Sequence, residues 1–193
     1  MLECFSTVQV RSVKGSHIVQ AQEWVDGRLG AGTFRELTRQ GGAPWSAVLP
    51  MGWYDVDVLN TALRVAAQRL DKPLEDIVTE IAGKNAEHDL TSIYRVFLRV
   101  AQPQRVLSQT PRLWRTYVSF GDAAALRNEQ GYYLGQGSGF NAELLEWACG
   151  CWRGFIPTTI ELAGGRNVRA RILERGRESD GSHSVRLEVT YSL

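Results

Sequence analysis

What this 193-residue chain lacks rules out several kinds of chemistry. It has three cysteines, Cys4, Cys149 and Cys151, with no Cys-x-x-Cys pair, which argues against a disulfide framework and suits a reducing cytoplasm. The histidines His17, His88 and His183 are scattered, and each reads as a surface residue rather than a metal ligand or an acid–base partner. The formal net charge is +1, so no strong field invites DNA, RNA or an anionic membrane. The arginines at 166, 169, 171, 175 and 177 are interrupted by Glu174, Glu178 and Asp180, the pattern of a solvated ribbon face. No apolar run is long enough to span a bilayer, and Met1 to Phe5 carry no secretory pattern. The expectation is a soluble, cytoplasmic protein with no nucleic-acid partner and no membrane span. Neither a repeat nor a low-complexity segment breaks the chain, so one domain over residues 1–193 is expected.

What is present is an alternation of helical and strand patterns. Val8 to Val13 alternates with period two and reads as a short strand. Gly15-Ser16 offers a turn and a cap for a helix carrying Ile18, Val19, Ala21 and Val25, and Thr33 can cap a short helix from Phe34 to Thr38. Asp55 or Asp57 caps a helix with Val58, Leu59, Ala62, Leu63, Ala66 and Leu70 on one face. The longest helical pattern runs from Leu74 to about Ala101, with Ala82, Ala86, Leu90, Ile93, Phe97 and Val100 as its buried stripe and Pro103 as its stop. Short helices follow near Arg105 to Ser108 and from Thr110-Pro111 towards Gly121. Ala123 to Arg127 and Gly131 to Leu134 suggest a hairpin, and Gly135-Gln136-Gly137-Ser138-Gly139 a flexible connection. A last helix from Asn141 leads through Gly164-Gly165 into two antiparallel strands, Asn167 to Glu174 and His183 to Tyr191. The fold class is therefore α+β: a helical layer packed on a small antiparallel sheet, ending in a helix plus a two-stranded ribbon.

Candidate chemistry is sparse. Cys149-Gly150-Cys151 would be a redox dithiol or half a soft-metal site, but residues two apart on a helix point to opposite sides, so buried small side chains are the better reading. The 135–139 run lacks the Lys-Ser or Lys-Thr of a phosphate loop, and Ser138 has no nucleophile-elbow setting. Six tryptophans are generous, and the aromatics concentrate in the helical half. They read either as plain core or as the wall of a cavity between helices and sheet.

Together Val13-Lys14-Gly15, Gly52-Trp53-Tyr54, Ile93 to Arg99, Leu113-Trp114-Arg115-Thr116-Tyr117 and Glu161-Leu162-Ala163-Gly164-Gly165 resemble a paralogous bacterial family of unknown function, best known from myxobacteria. That family is distantly similar to the four-vinyl-reductase, heme–nitric-oxide-binding and trafficking-particle-subunit superfamily. The resemblance covers nearly the whole chain and rests on order and spacing. It implies helices over an antiparallel sheet, a pocket between them and homodimerisation. Two features of those relatives are missing. Arg177 and Val185 stand where ribbon cysteines would help bind zinc, and Tyr117-Val118-Ser119 continues with Phe120-Gly121 instead of a Tyr-x-Ser-x-Arg motif. Neither zinc nor heme is carried over, and no cofactor is expected. The leading expectation is a non-enzymatic sensory or regulatory domain binding a small apolar or aromatic ligand at Trp53, Tyr94, Phe97, Trp114, Tyr117 and Trp147. The alternative is a protein-interaction module with a filled pocket, acting through a partner chain. Cavity volume separates them, since ligand pockets occupy about 300 Å3 or more.

Overall fold

The computed structural model describes residues 10–43, 45, 47–92 and 102–193. Strand β1 (Ser12–Lys14) pairs antiparallel with β2 (Trp53–Asp55), matching Ser12 to Asp55 and Lys14 to Trp53. β1 runs straight into α1 (Gly15–Leu29) with no side-chain cap, so the expected Gly15-Ser16 turn is replaced by a direct strand-to-helix junction. Its backbone is held instead by the loop before β2, through Gly15 N–H to Gly52 O and Ser16 N–H to Pro50 O, both at 2.9 Å. Helix α2 (Thr33–Gln40) is longer than expected, and Thr33 donates its hydroxyl to Leu29 O rather than capping. Asp55 caps α3 (Val56–Leu70), accepting from Asp57 N–H at 2.8 Å.

Helix α4 (Leu74–Ser92) buries Ala82, Ala86 and Leu90, as the stripe requires; Ile93, Phe97 and Val100 lie outside the described residues. Helices α5 (Pro103–Leu107) and α6 (Thr110–Tyr117) follow, each with proline in its first turn, and α6 ends four residues before Gly121. Strands β3 (Asp122–Glu129) and β4 (Tyr132–Phe140) form a hairpin longer than expected. A single 3-10 turn, Ala142–Leu144, capped by Asn141, opens α7 (Leu145–Leu162), and β5 (Arg166–Arg177) and β6 (His183–Ser192) complete the chain.

The C-terminal ribbon is part of a larger sheet. The four strands order as β3-β4-β6-β5, all antiparallel. This α+β arrangement carries its helices against one face. On that face β6 turns Val185, Leu187, Val189 and Tyr191 inward, as period-two alternation demands. On the other face Arg171 pairs with Glu188 and Arg186 with Glu174, a solvated set of charges. Such exposed pairs contribute about 0–1 kcal/mol each, so the inner face supplies the stability.

The segment 135–139 is a correction. It forms the middle of β4, paired with both β3 and β6, and not a flexible link. Its glycines are there because α7 comes down on them. A Cβ on Gly135 would lie 2.7 Å from the Trp152 ring and from Tyr133, and one on Gly137 would meet Trp152 and Phe140 at 3.0 Å. Strand glycine of this kind marks a close approach rather than looseness. The opposite side of α7 uses the same device against α4. A Cβ on Gly150 would lie 2.6 Å from Val78, and one on Gly154 would lie 2.2 Å from the Thr79 carbonyl oxygen. The two helices are thus nearly backbone to backbone.

Candidate functional site

Between α1, α4, α5, α6 and α7 lies a cavity of about 50 Å3. Its walls are nearly all apolar: Val106 and Leu107 of α5, Leu113, Trp114 and Tyr117 of α6, and Trp152, Phe155 and Ile156 of α7. Thr110, Thr159 and His17 supply its polar edge. Helix α6 can place three wall residues here because 113, 114 and 117 fall on one face at helical spacing. Trp114 is anchored by its indole N–H, which donates to Phe120 O at 3.0 Å. Its ring meets Trp152 at 6.0 Å, Phe140 at 5.7 Å and Trp147 at 6.4 Å between centroids, the last two edge to face. Such pairs contribute about 0.5–1.5 kcal/mol beyond their area.

The expected site residues therefore divide. Trp114 and Tyr117 line the cavity. Trp147 is buried behind Trp114 and contributes packing rather than lining. Trp53 does not belong to the site: it is 46% exposed on the β2 edge, with the Lys14 ammonium 4.1 Å from its ring centroid. A tryptophan on a short edge strand covers a lysine stem as readily as it fills a core, and nothing in Gly52-Trp53-Tyr54 distinguished the two. Tyr94 and Phe97 lie outside the described residues. Trp152 and Phe155, counted in the sequence only among general aromatics, are major walls.

His17 is the second correction. It is buried on α1, not at the surface, and its ring stands 5.5 Å from Tyr117. Asn85 Nδ2 lies 3.0 Å from its Nδ1. Burial lowers its pKa to about 4, against the opposing pull of Asp89, so the imidazole is neutral at pH 7. The Asn85 side-chain oxygen, the Trp152 indole N–H and the Tyr133 hydroxyl are buried without hydrogen-bond partners among the described residues. Burial also pushes the Tyr133 hydroxyl up to about 12.

Cys149 and Cys151 are free and buried. Burial, with the Glu75 carboxylate adding to it, raises Cys149 to about 11, and burial raises Cys151 well above its ordinary value. Both thiols stay protonated at neutral pH, the opposite of what a nucleophile or redox centre requires. No group of three or more metal-binding side chains is assembled among the described residues. No described helix is long and apolar enough to cross a membrane.

Neither a protein-family model nor a curated protein sequence matches this chain. Solved structures do match it in fold, H-NOX domains among them. A Cs H-NOX variant carrying 4-cyano-L-phenylalanine is 13% identical with a TM-score of 0.72, over 93% of this chain and 97% of that one. A point mutant of T. tengcongensis H-NOX is 13% identical with a TM-score of 0.71, over 93% and 98%. An oxygen-binding H-NOX domain related to soluble guanylate cyclases, in its oxygen complex, is 12% identical with a TM-score of 0.67, over 93% and 95%. At this level of identity the likeness establishes the fold, and the chain has the α+β fold of H-NOX domains.

Proposed function

We propose that this chain is a non-enzymatic sensory or regulatory domain that binds a small apolar molecule in the cavity between α5, α6 and α7. The observation that carries the reading is the aromatic-walled cavity, whose polar contributors among the described residues are chiefly Thr110, Thr159 and His17. A neutral His17 keeps charge out of it. At about 50 Å3 it falls below the ~300 Å3 expected of a ligand pocket, so it suits only a molecule of a few heavy atoms, and its volume counts toward the filled-pocket alternative. The neutral, buried thiols argue against chemistry at Cys149 and Cys151.

The fold raises a heme, because a matching structure concerns heme redox potential and porphyrin distortion. The residues of this cavity do not fit one. Its volume is below even that of drug-sized pockets, about 300 Å3 or more, and Trp152 packs directly on Gly135 and Gly137, leaving no flat slot there.

A second reading has its own observation. Trp114, Trp147, Trp152 and Phe140 fill most of the interior between α7 and the sheet, as a protein-interaction module with a filled pocket would. Such a module acts through a partner protein or a second copy of itself. Xenon titration followed by NMR separates the readings. Saturable shifts at Leu113, Thr110 and Ile156 in the parent protein, with the xenon affinity changed in Trp114→Ala, are the expected result. Absence of xenon binding in the parent protein, together with a loss of about 3–5 kcal/mol in Trp114→Ala, would sink the ligand reading and leave the interaction module.

A further inference from the structure

A second cavity, of about 260 Å3, opens where α1, the end of α4, α6 and the Pro50-Met51 loop meet. We infer that it is a binding site for a neutral, amide-bearing small molecule. This inference does not depend on the interior cavity.

Ser16 and Gln20 both contribute to its wall and are four residues apart on α1, so they share one helix face. The Ser16 hydroxyl oxygen is buried and has no hydrogen-bond partner among the described residues. Gln20 is 8% exposed; its amide makes no hydrogen bond among the described residues and keeps some contact with solvent. An unsatisfied buried polar group costs about 1–3 kcal/mol. The buried Ser16 hydroxyl, beside a cavity and one turn from a Gln20 amide that no described side chain engages, is therefore unusual unless something else completes it.

The chemistry of that something follows from the wall. Gln20 offers a donor and an acceptor together, and Ser16 offers one of each. Asp89, 4% exposed and 3.1 Å from His88 Nδ1, contributes a carboxylate from α4. A carboxylate ligand would be repelled by Asp89. A bare cation would face Lys14, whose ammonium stays on the Met51 carbonyl at 3.0 Å. An amide presents a C=O to the hydroxyl and Gln20 N–H, and an N–H to the Gln20 oxygen. Val19, Met51 and Tyr117 cover its apolar remainder.

The test is an NMR titration of the full chain with butyramide, alongside butyrate and butylamine. Saturable butyramide shifts at residues 16–20 and 88–89 are expected, with the two charged analogues at least about tenfold weaker, a difference of about 1.4 kcal/mol. Gln20→Leu, checked for folding by circular dichroism, should weaken butyramide by a similar factor. Ser16→Ala, at a half-buried position, gives a second arm should Gln20→Leu not fold, and should also weaken it. If butyramide causes no shifts at tens of millimolar, water alone satisfies the two groups and the inference fails. Equal binding of all three probes, or unchanged binding in both variants, would also overturn it. The xenon experiment reads the interior cavity separately, so either result stands without the other.

Discussion

The two sides of α7 solve opposite packing problems with opposite residues. Towards α4 the helix presents Gly150 and Gly154, and its backbone approaches until a single added carbon would strike Val78 or the Thr79 carbonyl. Towards the sheet it presents Trp147 and Trp152, among the largest fully buried side chains. There the glycines move to the strand, at 135 and 137. Spacing between layers is thus set by which partner gives up its side chain. The helix–helix seam has no slack at Gly150 and Gly154, whereas the residual cavity lies where Trp152 and Phe155 of α7 meet α5 and α6. Protein interiors are otherwise close-packed with few voids larger than a water molecule, so a ligand site can arise only where the fit is imperfect.

Breaking this contrast should produce the largest effects. Gly154→Val places a branched side chain where a Cβ alone lies 2.2 Å from a backbone oxygen that cannot move aside as a side chain can. Overpacking usually costs about 1–3 kcal/mol and sometimes more; this contact belongs at or beyond the upper end. Loss of a cooperative melt, or a fall in Tm beyond that of any other variant here, is the expected result. Trp152→Ala acts on the other side and removes volume instead, with an expected cost of about 3–5 kcal/mol. The two also differ in kind. Trp152→Ala should gain affinity for benzene as its cavity enlarges, while Gly154→Val should gain none. Equal and small effects of both would mean that α7 is not wedged between the two layers.

A smaller effect sharpens the comparison at the edge of the cavity. His17 has a folded pKa of about 4 against an ordinary value of 6.5. Between those values the unfolded chain binds more protons than the folded one, so stability falls as pH drops from about 6.5 towards 4. The full shift corresponds to about 3 kcal/mol. Urea unfolding between pH 7.5 and 4.5 should show this slope, and His17→Gln should flatten it. An unchanged slope in the variant would assign it to the carboxylates instead.

The same residues show what the sequence could and could not reveal. Helices α3 and α7 were legible because their apolar residues repeat at helical spacing, and the Asp55 cap because an aspartate precedes that repeat. β4 was not, because strand propensity is carried by side chains and this strand gave up its inward ones to Trp152. The burial of His17 had a signal that isolated histidine counting misses: it shares a face with Ala21 and Trp24, both buried, at spacings of four and seven. In the candidate site, α6 was readable from Trp114 and Tyr117 at their helical interval. The share of α7 was only half visible, since Trp147 and Trp152 look equivalent in sequence yet only Trp152 reaches the cavity.

The smallest expected effect concerns Trp53, the sequence-selected aromatic that the fold places outside the cavity. Its ring is 46% exposed and lies beneath Lys14, whose ammonium also holds the Met51 carbonyl. An exposed cation–π contact contributes about 0.5–1 kcal/mol, and little apolar area is lost from water protection when the ring is removed. Trp53→Ala should therefore lower stability by about 1 kcal/mol or less and leave xenon affinity unchanged, whereas Trp114→Ala should change both. Fluorescence offers an independent check: removing Trp53 should remove the most water-exposed component of the emission and shift the remaining spectrum to the blue. A Trp53→Ala variant that lost xenon binding, or as much stability as Trp114→Ala, would place Trp53 in the same packing unit as α6 and undo the division of the aromatics argued from their exposure.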